Sequence, residues 1–144
     1  MASNNFLLII VLIILLVIVA IFFDSISGLV TSYTAAGVDS INPSILEFDR
    51  YDSSKVVNIV VDTGSDMVNR NFVLKSINGE VQLGGTLCDG NVCEGKISNN
   101  FIVSRNIDTG EYYFEFDRVC KPRHTECESL NKKIRSGMLK ILHV

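Results

Sequence analysis

Four cysteines, two histidines and two Asp-Thr-Gly triplets are the residues here whose types and spacing bear on chemistry. The cysteines are Cys88, Cys93, Cys120 and Cys127. Three states are open to them. Disulfides are one, with three connectivities available to four thiols. The local pairing, Cys88 with Cys93 and Cys120 with Cys127, has a geometric argument. Residues 88–93 place two thiols across a four-residue turn, and opposed Cβ atoms of a hairpin approach disulfide distance. Zinc is the second state. Cys88, Cys93, Cys120, His124 and Cys127 offer thiolates and an imidazole, although structural zinc sites usually space paired cysteines by two residues. Free thiols are the third. His124 and His143 have no Ser, Cys or Asp constellation around them in sequence, and no glycine-rich phosphate loop, dinucleotide fingerprint or metal-binding helix motif is present. No cofactor is expected.

The carboxylate signal is residues 58–68, NIVVDTGSDMV. An apolar strand ending in Asp62-Thr63-Gly64-Ser65 resembles the active-site loop of aspartic proteases. In that family two aspartates share one proton and activate a water. The resemblance implies Asp62 as the catalytic group, in a chain that dimerises to supply a second loop. The sequence departs from the family pattern downstream. An apolar-apolar-Gly motif should follow, and Ile134-Arg135-Ser136-Gly137 does not match it. The second triplet, Asp108-Thr109-Gly110, follows Asn106 and Ile107 rather than an apolar run. Asp-Thr-Gly is also a common turn sequence. Asp62 is therefore read as a strand-end turn residue, with protease chemistry as the remote alternative, and the chain is not expected to be an enzyme.

These residues need elements to position them, and the pattern after Pro43 is of short β runs. KVVNIVVD (55–62) is one run. NFVLKSI (71–77) leads through Asn78-Gly79 into EVQL (80–83), a hairpin signal because a type I′ turn takes two residues at positive φ. A further hairpin is predicted around Asp89-Gly90 within residues 86–97. FIVSRN (101–106) and EYYFEFDR (111–118) flank Asp108-Thr109-Gly110 as another turn. In the last run Tyr112, Phe114 and Phe116 alternate with Tyr113, Glu115 and Asp117, giving one buried and one wet face. Residues 130–138 allow a helix face of Leu130, Ile134 and Met138, interrupted by Gly137, while residues 139–144 suit a final strand. The expected fold is mainly β: a small antiparallel sandwich or barrel-like head over residues 45–144.

The N-terminus differs in kind. Hydrophobic residues make up 47% of the 144-residue chain, and its mean hydropathy is +0.30. The excess lies in residues 6–23, bounded by Phe6 and Phe23, which contain no polar side chain. At ~1.5 Å rise per residue the run approaches the ~30 Å hydrocarbon core. A transmembrane anchor is expected, after a short tail of residues 1–5. A cleaved signal peptide is the competing reading: Ser25-Ile26-Ser27 is a small-x-small site, but the apolar run is long and no Lys or Arg precedes it. Residues 24–44 read as a stalk, helical at its start. Flanking charge gives no orientation.

Charge is uneven. Residues 24–117 carry 6 basic and 14 acidic groups, while residues 118–144 carry 7 basic and 2 acidic. The basic end, with Arg118, Lys121, Arg123, Lys132, Lys133, Arg135 and Lys140, is the candidate docking segment for an acidic neighbour. No aromatic or glycine pattern accompanies it, so nucleic acid is not expected. The layout of short tail, anchor and small cysteine-bearing β head resembles single-pass membrane and minor capsid proteins of large icosahedral double-stranded DNA viruses. That resemblance implies a structural protein that tethers a protein shell to a virion membrane or host endomembrane. Its implied partners are the lipid bilayer and neighbouring structural proteins, with further copies of the chain as an option. A receptor-binding or fusion-complex ectodomain is the alternative.

Overall fold

The computed structural model describes residues 2–29, 32–122 and 125–144. It divides into two units, residues 1–32 and 33–144. Arg123 and His124, one a docking candidate and the other a candidate ligand, lie outside the described residues.

The first unit is the helix α1, Ala2–Leu29. Its 28 residues span ~42 Å at ~1.5 Å per residue. The segment Ser3–Phe22 is long and apolar enough to cross a membrane, the one such helix among the described residues, and none of it is buried. It is apolar on every side rather than on one stripe, unlike the flank of a soluble core.

The second unit is the head. Among the described residues it has ten strands: β1 (Gly37–Asn42), β2 (Ile45–Phe48), β3 (Ser54–Asp62), β4 (Met67–Ser76), β5 (Val81–Thr86), β6 (Val92–Cys93), β7 (Lys96–Ser104), β8 (Gly110–Val119), β9 (Lys133–Arg135) and β10 (Leu139–His143). A single helical turn, α2 (Thr125–Glu128), precedes β9. Sheet A has the order β1-β3-β7, and sheet B the order β2-β10-β8-β4-β5, with β6 against β4 and β9 against β8. All pairings are antiparallel except β10 with β2, which is parallel. The fold is a two-sheet sandwich and not a closed barrel.

Period-2 alternation builds the shared core. Val57, Ile59 and Val61 of β3 and Val103 of β7 face inward from sheet A, all fully buried. Leu74, Phe114, Phe116, Leu139 and Ile141 face them from sheet B, also fully buried. Phe101 of β7 bridges the sheets, with its ring centroid 5.4 Å from Phe72 and 5.3 Å from Phe114. Gly85 leaves room for these rings, since a Cβ there would come within 2.7 Å of Phe72 and 2.9 Å of Phe101.

Several local expectations change. The β4–β5 hairpin forms at Asn78-Gly79, but with a three-residue loop. Gly79 has φ +87, no non-glycine residue has positive φ among the described residues, and Ser76 pairs with Glu80. One left-handed residue is enough for that loop, whereas type I′ needs two. Residues 86–97 are not a hairpin. β5 and β6 both pair with β4 in the same direction, and residues 87–91 leave and rejoin it at Arg70, whose carbonyl accepts the Leu87 amide while its own amide donates to the Asn91 carbonyl. Asp108-Thr109-Gly110 does not join a hairpin either: β7 belongs to sheet A and β8 to sheet B. The stretch read as stalk ends early, because Ala36 is in the core and β1 pairs with β3 from Gly37↔Asp62 to Asn42↔Asn58.

The C-terminal residues form strands. β9 and β10 run along one side of β8, and the Ser136 hydroxyl fills the gap between them by accepting the Phe114 amide at 2.8 Å. β10 then lies between β8 and β2 in the interior of sheet B. The predicted basic tail is thus part of the sandwich.

Candidate functional site

The turn that carries Asp62 is fastened from several directions. Asp62 ends β3, and its Oδ1 accepts the Gly64 amide at 3.0 Å, the local bond aspartate offers a turn. Thr63 is fully buried. Its Oγ1 accepts the Gly95 amide at 2.7 Å, and its own amide donates to the Gly95 carbonyl at 3.0 Å. Gly64 has φ +54, and a Cβ there would lie 2.4 Å from the Thr34 carbonyl oxygen. The Ser65 amide donates to that same carbonyl at 2.7 Å, and the Ser65 hydroxyl accepts the Thr34 amide at 3.1 Å. Each residue of the Asp-Thr-Gly-Ser run therefore has a structural task. Together they hold the first residues of the head against the end of β3. Asp108 lies in the β7–β8 connection, where its carbonyl accepts the Tyr112 hydroxyl at 2.6 Å.

The next residue, Asp66, is the centre of this root. It is fully buried. Its carboxylate accepts the Tyr33 hydroxyl at 2.6 and 2.7 Å, the Ala36 amide at 3.1 Å and Arg118 Nη1 at 2.6 Å. Burial alone would raise its pKa. The bonds from Tyr33, Ala36 and Arg118, together with the Arg118 charge, outweigh burial and hold the carboxyl below the usual range. The root thus joins the segment that follows α1 to the start of the basic C-terminal region.

That placement removes Arg118 from the docking set: its side chain is 9% exposed, and its Nε donates to the Asn131 carbonyl. Other basic candidates are also paired. Lys121 bonds Glu94. Lys133 bonds Asp117 and stands 3.9 Å from Glu115, and the Asp117 bond leads in raising its pKa, against partial desolvation. Arg135 is 3.3 Å from Glu115 and lies over the Tyr113 ring at 5.0 Å. Lys132 and Lys140 are exposed and have no ion-pair partner among the described residues. Four of the seven basic residues of this end are therefore paired with carboxylates of the acidic body, three of them from strands β8 and β9.

Glu115 shows why the wet face of β8 is not wet throughout. Its side chain is 3% exposed, with Lys75 at 2.8 Å and Lys133 and Arg135 around it. Burial pushes its pKa up, while the Lys75 bond and the surrounding positive charge push it further down, leaving it below the ordinary value.

The cysteines pair locally, Cys88 with Cys93 and Cys120 with Cys127. Their Cα separations are 6.0 and 5.6 Å, within the usual disulfide range. The first bridge closes the excursion at Arg70 rather than a hairpin. All four thiols are used, so the zinc set loses its ligands, and no metal-holding group of His, Cys, Asp or Glu occurs among the described residues.

Sequence reasoning missed Asp66 and Tyr33. Asp66 sits four residues after Asp62 in an exposed-looking turn sequence, and only the fold brings Tyr33 and Arg118 to it. The chain matches no protein-family model and no curated relative, so this geometry, without a family, carries the functional reading.

Proposed function

We propose that this chain is a membrane-anchored, non-catalytic structural protein: residues 6–23 hold it in a bilayer and the β head engages neighbouring proteins, tethering an assembly to the membrane. The observation that carries this reading is α1. From Phe6, 66% exposed, to Phe22, 63% exposed, its large apolar side chains are uncovered. At ~1.5–3 kcal/mol for each such side chain moved out of water, a run of this length belongs in lipid. The root supports the same reading, because a tether needs its first head residues fastened, and Tyr33, Thr34 and Ala36 are all bonded to the Thr63–Asp66 turn. The layout is the one that resembles virion membrane and minor capsid proteins. Among the described docking candidates, Lys132 and Lys140 are the exposed basic residues without an ion-pair partner. The test is cross-linking of the full chain in its native membrane. Charge reversal at Lys132 and Lys140 together should weaken capture of a neighbouring structural protein, with membrane insertion intact. Unchanged capture would remove the basic contact.

The disulfides favour a second aspect. Persistent disulfides belong to oxidising compartments, which supports a lumenal or outer head and with it the receptor-binding or fusion-complex alternative. Protease digestion of intact membranes or particles separates the two: an accessible head fits an ectodomain, and a protected head fits an internal tether.

A further inference from the structure

Asn78 is the one asparagine in the chain followed by glycine. It stands with Ile77 and Gly79 in the loop between β4 and β5, and all three are exposed. Every other asparagine precedes a residue whose side chain crowds the backbone nitrogen behind it. Gly79 has no such side chain, and nothing lies within 4 Å of where its Cβ would be. Several other asparagines are held by their own bonds. Asn58 bonds Ser98 and Asn100, and Asn99 donates to the Thr86 carbonyl. Asn69 and Asn131 accept the Asn71 and Lys133 amides. The Asn78 side chain has no hydrogen-bond partner among the described residues.

An asparagine so placed can close on its own backbone. The Gly79 nitrogen loses its proton to hydroxide and attacks Asn78 Cγ. The new C–N bond makes a cyclic imide. The Cγ–Nδ2 bond breaks, and Nδ2 leaves as ammonia after taking a proton from water. One water then opens the ring. Opening at Cγ gives aspartate, and opening at the backbone carbonyl gives isoaspartate. The balance is one water in and one ammonia out.

We propose that Asn78 is a self-modifying site of the folded head, deamidated through this imide, and that the product loosens the β4–β5 turn. The turn sets the rate. The Gly79 amide donates to the Ser76 carbonyl at 2.8 Å, and attack waits for that bond to open. One net hydrogen bond slows the folded chain by about tenfold relative to the unfolded one. The product fits the turn less well than asparagine. Glu80, Asp108 and Glu111 already line one cavity with Asn78, so a fourth carboxylate meets like charge. Isoaspartate also adds a carbon to the main chain, which strains the short loop that joins Ser76 to Glu80. The reaction uses only the head and water, so it does not rest on the membrane reading.

The experiment is incubation of the full chain in mild detergent micelles at neutral and mildly alkaline pH, followed by peptide mass mapping with fragmentation. Cleavage after Lys75 and Lys96 isolates residues 76–96 with the Cys88–Cys93 bridge inside. Asn78 should gain about one dalton, as aspartate mixed with isoaspartate, at a rate that rises with hydroxide. The urea-unfolded chain should react about tenfold faster, and Asn78→Gln should abolish the gain. In the aged chain, amides of residues 77–83 should exchange faster than in the fresh chain. A folded chain that reacts no faster at Asn78 than at Asn91 of the same peptide would overturn the site. Aspartate without isoaspartate would overturn the imide route, and unchanged exchange in the aged chain would overturn the loosened turn.

Discussion

Removing the Asp66 carboxylate should damage the head more than any other single polar substitution in the root. In Asp66→Ala, Arg118 is left 9% exposed with its charge unmatched, and the Tyr33 hydroxyl and the Ala36 amide lose their shared acceptor. Breaking a buried pair by deleting one partner costs ~3–5 kcal/mol. Arg118 keeps its bond to the Asn131 carbonyl, which favours the lower half of that range. For a head of this size the loss corresponds to a fall in Tm of ~10–20 °C. The assay is thermal and urea unfolding of the full chain in detergent, followed by β-sheet circular dichroism. The double variant Asp66→Leu with Arg118→Met removes both charges together. Buried pairs are often replaceable by apolar groups of similar volume, so it should recover much of the loss. A cost below ~1 kcal/mol for Asp66→Ala, which is the range of an exposed pair, or a double variant as poor as the sum of the singles, would refute the buried-pair account.

Other consequences can be checked with the same unfolding assay. Asp66 and Glu115 both have lowered folded pKa values, so their contribution is complete above the unfolded carboxylate values of ~4 and is lost as pH falls from there through the folded values; a head whose acid midpoint does not move in Asp66→Asn contradicts this. Gly64→Ala forces a Cβ to 2.4 Å from the Thr34 oxygen at φ +54 and should cost ~1–3 kcal/mol. Truncation before Lys133 removes β9 and β10 and with them Ile134, Leu139 and Ile141 of the core; an unfolded head, read as loss of the cooperative transition, is expected. Reduction of the two bridges should lower stability by ~2 kcal/mol for each, visible as a shift of the urea midpoint under reductant.

Much of this fold is legible in the sequence, and the illegible parts have a common cause. The alternation of Tyr112, Phe114 and Phe116 reports its buried face directly, because side-chain direction in a strand is a local property. The local pairing of Cys88 with Cys93 and Cys120 with Cys127 is one of several states the sequence leaves open, and the first bridge closes an excursion along β4 rather than the hairpin turn that suggests it. What local pattern does not carry is which strand pairs with which. Asp89-Gly90 and Asp108-Thr109-Gly110 have turn composition, yet the chain continues along β4 in the first case and changes sheets in the second. The basic end misleads for the same reason. Its charges look available in one dimension, and the sheet sets Arg118 beside Asp66, from 52 residues away, and Arg135 beside Glu115. Glu115 sits on the face that alternation marks as wet, and its burial comes from cations on β4 and β9, which no pattern within β8 could report.

The most direct test of the central claim is the non-reducing intact mass of the chain recovered from alkali-washed membranes. Retention of residues 1–29 predicts the full chain of 15.9 kDa, less the four hydrogens of two disulfides, in the membrane pellet. A soluble chain that begins after Ser25-Ile26-Ser27 would contradict the anchor and make the apolar helix a removed signal.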